Sequence, residues 1–204
     1  MFRNIRKEWP LAEERAAATI ALSTEQGFAF FLVFGIIYRG WARAEQGRIE
    51  NGIAQMRSGL AGLRSLAAEL ARPLALSALA AACGKLSQSD DALALVDEAL
   101  ATAEKTGERH WDTEIYRLKG ELLLKSKRSP EAETCFRHAI DIARRQSAKS
   151  LELRAVMSLS RLLRKQDKKV EARQMLADIY GWFTEGFDTP DLKEAKALLE
   201  ELST

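Results

Sequence analysis

Few side chains in this sequence could perform catalysis, and their spacing does not assemble a reaction. Hydrolysis by a catalytic triad needs a histidine beside a nucleophile, and the only histidines are His110 and His138. We predict His110 at the start of a helix and His138 on a helix face beside Ala139. Both positions are typical of surface or packing residues, so no hydrolytic site is indicated.

The segment GKLS, residues 84–87, contains the Gly-Lys pair of a phosphate-binding loop but lacks its other parts. Such a loop needs an upstream glycine and a hydroxyl that binds the metal ion. This chain has Leu79 and Leu86 at those places. The segment also lies at a predicted helix end with no strand before it, which argues against nucleotide binding.

Neither the acidic residues nor the cysteines form a recognisable metal or redox site. Neighbouring carboxylates occur at Asp90 with Asp91 and at Asp188 with Asp191. Both pairs stand where helices are predicted to begin, which favours a capping role. Cys83 and Cys135 are too few and too far apart for a disulfide or metal framework, and this favours reduced thiols in a cytoplasmic protein. The sequence therefore predicts a non-enzyme without cofactor or metal.

Composition indicates an all-α soluble protein without a strong charge bias. The chain has 204 residues, is rich in Ala and Leu, and contains only 12 Gly and 4 Pro. Its 31 basic and 29 acidic residues give a net charge of +2, which argues against a general polyanion binder. The only candidate membrane segment, residues 27–38, is shorter than the ~20 residues of a spanning helix. Glu8, Glu13 and Glu14 ahead of it do not fit a secretory signal, so we expect no membrane association.

A 40-residue repeat governs the helical pattern. Residues 129–140, SPEAETCFRHAI, place Ala132, Phe136 and Ala139 on one helical face. Residues in phase with Ala132 are Ala12, Gly52, Ala92 and Ala172, and those in phase with Phe136 are Met56, Val96 and Leu176. Small residues also recur upstream, at Gly40, Ala80, Gly120 and Ser160. Because a small residue lets another helix approach closely, each repeat is predicted to be a helical hairpin.

Each hairpin exposes an apolar face that only a neighbour can cover, so we expect the hairpins to stack into a superhelix with one continuous core. The predicted fold is an all-α solenoid that forms a single domain over residues 1–204. It comprises a half-repeat at 8–22, repeats at about 28–66, 70–104, 109–145 and 148–183, and a capping helix at 190–203. The capping helix has an apolar stripe of Leu192, Ala195, Leu199 and Leu202.

Two kinds of signal mark the predicted turns. Asp90 and Ser129, the latter followed by Pro130, are predicted N-caps of second helices within the repeats. Between repeats, Gly27, Gly107 and Ser147 are separated by multiples of 40 residues. The two glycines suit the left-handed residue that ends many helices.

The repeat pattern resembles a known family. The small-bulky-small phases of the second helices resemble the tetratricopeptide repeat, whose usual unit of ~34 residues is shorter. The segments FGIIYRGWARAEQGRIENGIAQMRSGL, YRLKGELLL and YGWFTEGFDTPDLKEAKALLEEL are similar to the C-terminal tetratricopeptide-like region of large bacterial signalling proteins. Those proteins carry an adenylate/guanylate cyclase or another output domain before a signal-transduction ATPase. The resemblance implies a sensor or protein-interaction module, with upstream cyclase or ATPase domains if the chain is part of a longer one.

The resemblance also implies that the first helices line a concave binding surface. Subtracting the core positions leaves three sets of candidate groove residues: Phe34, Ile37, Tyr38 and Trp41; Glu114, Arg117, Leu118 and Glu121; and Arg154, Met157, Ser158 and Arg161, followed by Arg164 and Lys165. The first set is unusually apolar for a solvated groove. Its alternative role is to pack against residues 8–22 or against upstream repeats.

The third set lies in a basic stretch, residues 143–169, which is either a solvated helix face or a site for an acidic peptide. RNA-reading helical repeats carry base-reading side chains once per unit, and Glu114, Glu121 and the aromatic first set break such a repetition. The leading interpretation is a protein or peptide binder. A small-metabolite sensor and, with less support, a nucleic-acid binder are the alternatives.

The beginning of the sequence is in phase with the second helices, so the first helix of that repeat is missing. We expect the surface around Trp9, Leu11 and Ile20, with part of the run from Phe28 to Tyr38, to be apolar and uncovered. Upstream repeats or a second copy of the chain would cover it. Two such ends meeting would form a closed homodimer, because the contact uses up both open surfaces.

Overall fold

The computed structural model describes residues 7–86 and 88–203, and within them it shows ten α-helices and no strand. The helices are α1 Trp9–Gln26, α2 Ala29–Glu45, α3 Ile49–Ser65, α4 Arg72–Lys85, α5 Ser89–Thr106, α6 Asp112–Lys125, α7 Ser129–Arg145, α8 Lys149–Lys165, α9 Lys169–Tyr180 and α10 Pro190–Ser203. A short 3-10 turn, Arg109–Trp111, precedes α6. The predicted all-α class is confirmed.

The helices form two compact units, which divide between Arg109 and His110. In unit 1, α1 packs on α2, the pairs α2–α3 and α4–α5 are hairpins, and α4 contacts both α2 and α3. In unit 2, the hairpins are α6–α7 and α8–α9, α8 contacts both α6 and α7, and α10 packs on α8 and α9. Each unit therefore has its own stack of helical hairpins.

Left-handed residues follow most of the helices, at spacings of 20 or 40 residues along the described chain. The residues with positive φ in these turns are Gly27 (71°), Gly47 (89°), Ala67 (51°), Gly107 (72°), Lys127 (60°), Ser147 (53°) and Asp167 (64°). After most of them the next amide donates to the carbonyl five residues earlier, as in Phe28 to Ser23 at 2.8 Å and Lys168 to Leu163 at 2.9 Å. These bonds satisfy carbonyls that a helix end leaves open. The left-handed conformation predicted for Gly27 and Gly107 is confirmed, and Ser147, which was predicted only to lie between repeats, is left-handed as well.

The predicted N-caps are wrong. The capping positions of α5 and α7 are Gln88 and Arg128, and neither side chain bonds to the helix end. Ser129 is instead the first residue of α7. Before α7, the left-handed residue Lys127 ends the preceding helix, and Arg128, which follows it, takes the capping position one residue before α7 begins. The cap position is therefore determined by the end of the preceding helix and not by the nearest Ser or Asp.

The small and bulky positions of the repeat meet at the crossing of each hairpin. A Cβ atom on Gly120 would lie 2.4 Å from Cε1 of Phe136, and one on Gly40 would lie 3.0 Å from Cγ of Met56. In the α8–α9 hairpin, the Ser160 hydroxyl donates to the Ala172 carbonyl at 3.2 Å. The bulky residues of this phase, Met56, Val96, Phe136 and Leu176, are fully buried. They form the centre of each hairpin's core, as the repeat predicts.

The last helix buries Leu192, Ala195 and Leu202 as predicted, but the fourth buried residue is Leu198 and not Leu199. In a helix with 3.6 residues per turn, positions three or four apart share a face. The pattern alone therefore fits either leucine. Packing on α8 and α9 selects Leu198.

Candidate functional site

The first predicted set lies on α2, where its aromatic residues make ring contacts on several sides. Phe34 lies between Phe30 and Tyr38, with ring centroids 4.7 Å and 5.9 Å away, and Trp41 lies 6.0 Å from Trp9 of α1. Ile37 is buried. The four residues of this set also line a cavity of about 10 Å³ together with Ala71, Leu74, Ala75 and Ala78. Much of this set therefore holds α2 against α1 and α4, and its role in binding stays a prediction.

Tyr38 is half-buried on α2, and its surroundings oppose ionisation of its phenol. Burial, together with the negative charge of Glu108, raises the pKa of Tyr38 to about 12. The Glu108 carboxylate itself accepts a hydrogen bond from the Ala71 amide at 2.6 Å. Tyr38 is therefore a neutral packing residue at physiological pH, as an unperturbed tyrosine would be.

An aromatic face of unit 1, consisting of Phe28, Phe30 and Phe31, is exposed to solvent. The exposed fractions of these three residues are 52%, 43% and 58%. Phe30 and Phe31 contact each other edge to face at 5.7 Å, and Phe28 and Phe31 do so at 6.5 Å. The sequence predicted an open apolar surface here but placed its centre at Trp9, Leu11 and Ile20, which are half-buried. Packing of α1 on α2 covers those three and leaves the phenylalanines outside.

Beside the aromatic face lies the α1–α2 groove, with a volume of about 320 Å³. Its lining residues are Ala12, Arg15, Ala16 and Thr19 from α1, and Phe30, Phe31, Phe34, Gly35 and Tyr38 from α2. Gly35 brings the two helices together, because a Cβ atom there would lie 2.8 Å from Cγ1 of Ile20 and 3.3 Å from the Ala16 carbonyl oxygen. Small residues on both helices therefore make the groove.

The second predicted set forms an ion network on one face of α6. Arg117 donates through Nε to Glu114 Oε2 at 2.9 Å and also pairs with Glu121. Burial disfavours the charge of Arg117, but the two carboxylates outweigh it and raise its pKa. Burial likewise opposes ionisation of Glu114, yet the Arg117 guanidinium holds the pKa of Glu114 below its usual range. Ser158 of α8 donates to Glu121 at 3.1 Å, so the network links the two first helices of unit 2.

Three of the four basic residues in the third predicted set pair with the chain's own α10. Arg154 donates to Asp191 at 2.6 Å and Arg161 to Glu194 at 2.6 Å. Arg164 pairs with Glu201. Lys165 is exposed on the same helix. Acidic side chains of α10 thus occupy the positions at which the sequence predicts an acidic partner.

The two histidines first considered for catalysis are exposed, and each contacts a neighbouring aromatic ring. His138 meets the ring of Tyr116 edge to face at 4.4 Å, and His110 lies 5.0 Å from the ring of Trp111. Cys83 is a buried free thiol whose pKa is raised by burial, and Cys135 is a half-buried free thiol. In the described part of the chain, no three His, Cys, Asp or Glu side chains are arranged to hold a metal ion. Among residues 7–86 and 88–203, no helix combines the length and apolarity needed to cross a bilayer.

Comparison with known proteins identifies the type of repeat. Residues 69–145, which span α4 to α7, match the tetratricopeptide repeat family model. No curated protein matches the chain in sequence.

Solved structures with the same fold cover nearly the whole chain. The crystal structure of BtubC (BKLC) from P. vanneervenii has a TM-score of 0.72 at 14% identity, covering 96% of this chain and 89% of that one. The crystal structure of the putative kinesin light chain from Podosopora anserina, with nearly identical TPR-like repeats, has a TM-score of 0.59 at 13% identity, covering 98% and 92%. The predicted solenoid class of helical hairpins is thereby confirmed. The chain is similar to tetratricopeptide-repeat proteins in fold and, over residues 69–145, also in sequence.

Proposed function

We propose that this chain is a non-catalytic protein-binding module and that its binding site in unit 1 is the aromatic face with the adjacent α1–α2 groove. Tetratricopeptide repeats generally mediate protein–protein interaction. The observation that carries the proposal is the exposure of three phenylalanine side chains in mutual contact beside a groove of about 320 Å³. Contiguous exposed apolar surface of this kind marks interaction sites in soluble proteins.

The chemistry of the groove favours a protein partner over a nucleic acid. Arg15 is the one charged residue among those that line it, whereas nucleic-acid sites need several Lys or Arg residues for the phosphates. Aromatic residues are enriched at the centres of protein interfaces, where they supply most of the binding energy. The expected ligand is therefore an apolar helix or peptide with a bulky side chain for the groove.

The proposal is tested by photo-crosslinking in cells. A photoreactive phenylalanine analogue at Phe31 should yield covalent protein adducts on irradiation. The same analogue at Val170 of α9, which is 86% exposed, serves as a matched control at an isolated apolar surface position. If position 31 yields no more adduct than position 170, the aromatic face is not a binding site.

We further propose that the module belongs to bacterial signalling and acts in the cytoplasm, as the regulatory or scaffold part beside a cyclase or ATPase domain. The resemblance of residues 34–60 and 180–202 to such proteins supports this assignment. The genomic sequence around the coding region tests it. An in-frame cyclase or ATPase segment supports the proposal, and an isolated promoter directly before the first codon contradicts it.

A second candidate site is the basic face of α8, which we propose as a place for an acidic peptide that competes with α10. Arg161 and Arg164 each keep about a third of the side chain exposed although they pair with α10, with exposed fractions of 37% and 34%. Replacing Glu194 and Glu201 by Gln should free both guanidinium groups and strengthen binding of a glutamate-rich peptide. Unchanged peptide binding in that variant would place the acidic partner elsewhere or nowhere.

A further inference from the structure

The α1–α2 groove lies where the repeat elsewhere places a helix. The lining residues of α1 are Ala12, Arg15, Ala16 and Thr19, and the residues 40 positions later in α3 are Gly52, Gln55, Met56 and Gly59. All four of the latter contact the first helix of their own hairpin. A Cβ atom on Gly40 would lie within 3.0 Å of Gly52, Gln55 and Met56, and one on Gly59 would lie 2.3 Å from Ile37. The groove side of α1, with Ala12 and Ala16 buried and Arg15 and Thr19 at least partly exposed, therefore carries the positions that contact a helix in the next hairpin.

The α2 residues that line the groove also indicate that a helix packs at this place in the repeat. Phe31 and Phe34 are in phase, four repeats earlier, with Asp191 and Glu194 of α10. Those two acids are the residues through which α10 contacts Arg154 and Arg161 of α8. The corresponding side of α2 is thus the side that meets a preceding helix. In the described part of the chain no helix lies there, and Phe31 is 58% exposed.

The groove requires a bulky residue from the helix that fills it. In the hairpins of this chain, a small residue of the first helix meets a bulky one of the second helix, as Gly40 meets Met56 and Gly120 meets Phe136. Position 16 belongs to the bulky phase but is Ala. A helix of the usual repeat pattern, with a small residue at the crossing, would leave this space empty. A helix that presents a phenylalanine would fill it.

Bulky side chains that could fill such a groove lie on the same surface as the groove itself. Phe28 and Phe31 project from α2 next to the groove, with exposed fractions of 52% and 58%. A surface that carries both a knob and its hole is complementary to itself, which is the condition for a two-fold interface. Head-to-tail contact with α10 is disfavoured, since the outer side of α10 presents the exposed charged residues Lys193, Lys196 and Glu200.

We infer that two copies of this chain pair face to face through unit 1, with Phe31 of each copy inserted into the α1–α2 groove of the other. Helices α1 and α2 of the two copies then form a four-helix bundle, which buries the aromatic face. The inference rests on the proposed function, because it names a second copy as the protein that the aromatic face binds.

The test is sedimentation of the purified 204-residue chain over a wide concentration series. We expect a reversible dimer. Phe31→Glu removes the knob, and Thr19→Trp fills the groove from its half-buried wall. Each should raise the dimer dissociation constant about 30-fold or more, the effect of losing an interface hot spot. The matched control Val170→Glu, which changes an exposed apolar residue outside the interface, should leave the constant unchanged.

Circular dichroism of each variant shows whether the helices persist. Phe31→Glu removes a bulky side chain and Thr19→Trp adds one, so if one variant does not fold, the other still tests the interface. A wild-type chain that stays monomeric at every concentration overturns the dimer. A dimer that survives both folded variants overturns this interface. Adducts to a different protein at position 31 together with a monomeric chain would sink the dimer while the proposed binding function stands.

Discussion

The backbones of Gly40 in α2 and Gly52 in α3 meet at the crossing of the first hairpin. A Cβ atom on Gly52 would lie 2.5 Å from the Gly40 carbonyl oxygen, and one on Gly40 would lie 2.8 Å from the Gly52 carbonyl oxygen. Real Cβ atoms do not approach backbone atoms this closely, so neither position has room for a side chain. The two helices of this hairpin can approach so closely only because both crossing positions are glycine.

Gly52→Ala should therefore destabilise the protein although alanine is the better helix former. The clash is with backbone, which cannot move aside as the end of a side chain can, and overpacking of this kind costs about 1 to 3 kcal/mol. Urea unfolding monitored by circular dichroism measures the loss. Gly181→Ala is the control, because the nearest atom to its added Cβ is the Ala177 carbonyl oxygen at 3.3 Å. Equal stability of the two variants would contradict the proposed crossing.

Glu13 ties α1 to α2 and its following turn, and this makes the stability of unit 1 dependent on pH. Hydrogen bonds from Arg48, Arg43 and Gln46, with that of Arg48 the largest, lower the pKa of Glu13 from 4.5 to about 2. Burial acts in the opposite direction but is outweighed. The folded state therefore binds this proton less tightly than the unfolded state does. The stabilisation is fully present above pH 4.5 and is lost as the pH falls towards 2.

Glu13→Gln should cost about 1 to 2 kcal/mol at neutral pH, since it removes charged hydrogen bonds at a half-buried site. The difference from the wild type should shrink as the pH falls from 4.5 towards 2, when the wild-type carboxyl is also neutral. Thermal unfolding of both proteins across this range measures the effect. A difference that stays constant with pH would show that Glu13 contributes by packing and not by charge.

Ala67 adopts a left-handed conformation with φ of 51°, which an alanine enters only with strain. Ala67→Gly should therefore stabilise the protein by about 0.5 to 1 kcal/mol. The same substitution at Ala61, an exposed residue inside α3, should destabilise it by about 0.5 to 1 kcal/mol. Chemical denaturation of the two variants compares them directly. Effects of the same sign would argue against the left-handed turn at residue 67.

Arg154 and Asp191 attach α10 to α8 through a pair whose side chains are each only 16% exposed. Arg154→Met should weaken this attachment by about 1 to 3 kcal/mol, because the Asp191 carboxylate loses its charged donor. Faster amide hydrogen exchange in residues 190–203 would report it. Replacing both residues, Arg154→Met with Asp191→Leu, should restore much of the protection, since an apolar pair leaves no buried charge. If residues 190–203 are no better protected from exchange in the double variant than in the single one, this account is contradicted.

The sequence by itself determined the helical class, the 40-residue period and the residues that meet inside each hairpin. Gly40, Gly120 and Ser160 share a phase, and so do Met56, Phe136 and Leu176. Their roles depend on contacts between neighbouring helices in the chain, which a short turn forces together. Such local contacts leave a periodic signal in the sequence. The left-handed residues at Gly27 and Gly107 were predictable for the same reason, because glycine is favoured at that backbone conformation.

Only the tertiary structure decided which charged residues are paired within the chain and which apolar residues are exposed to solvent. Arg154 and Arg161 carry the pattern of a basic binding face, but Asp191 and Glu194, more than 30 residues away, neutralise them. Phe31 belongs to an apolar run that indicates burial, yet it lies outside the core. The physical reason is that exposure and charge pairing depend on the distance between helices that are remote in sequence. The helical period gives each residue a face, and the packing of the helices decides what that face meets.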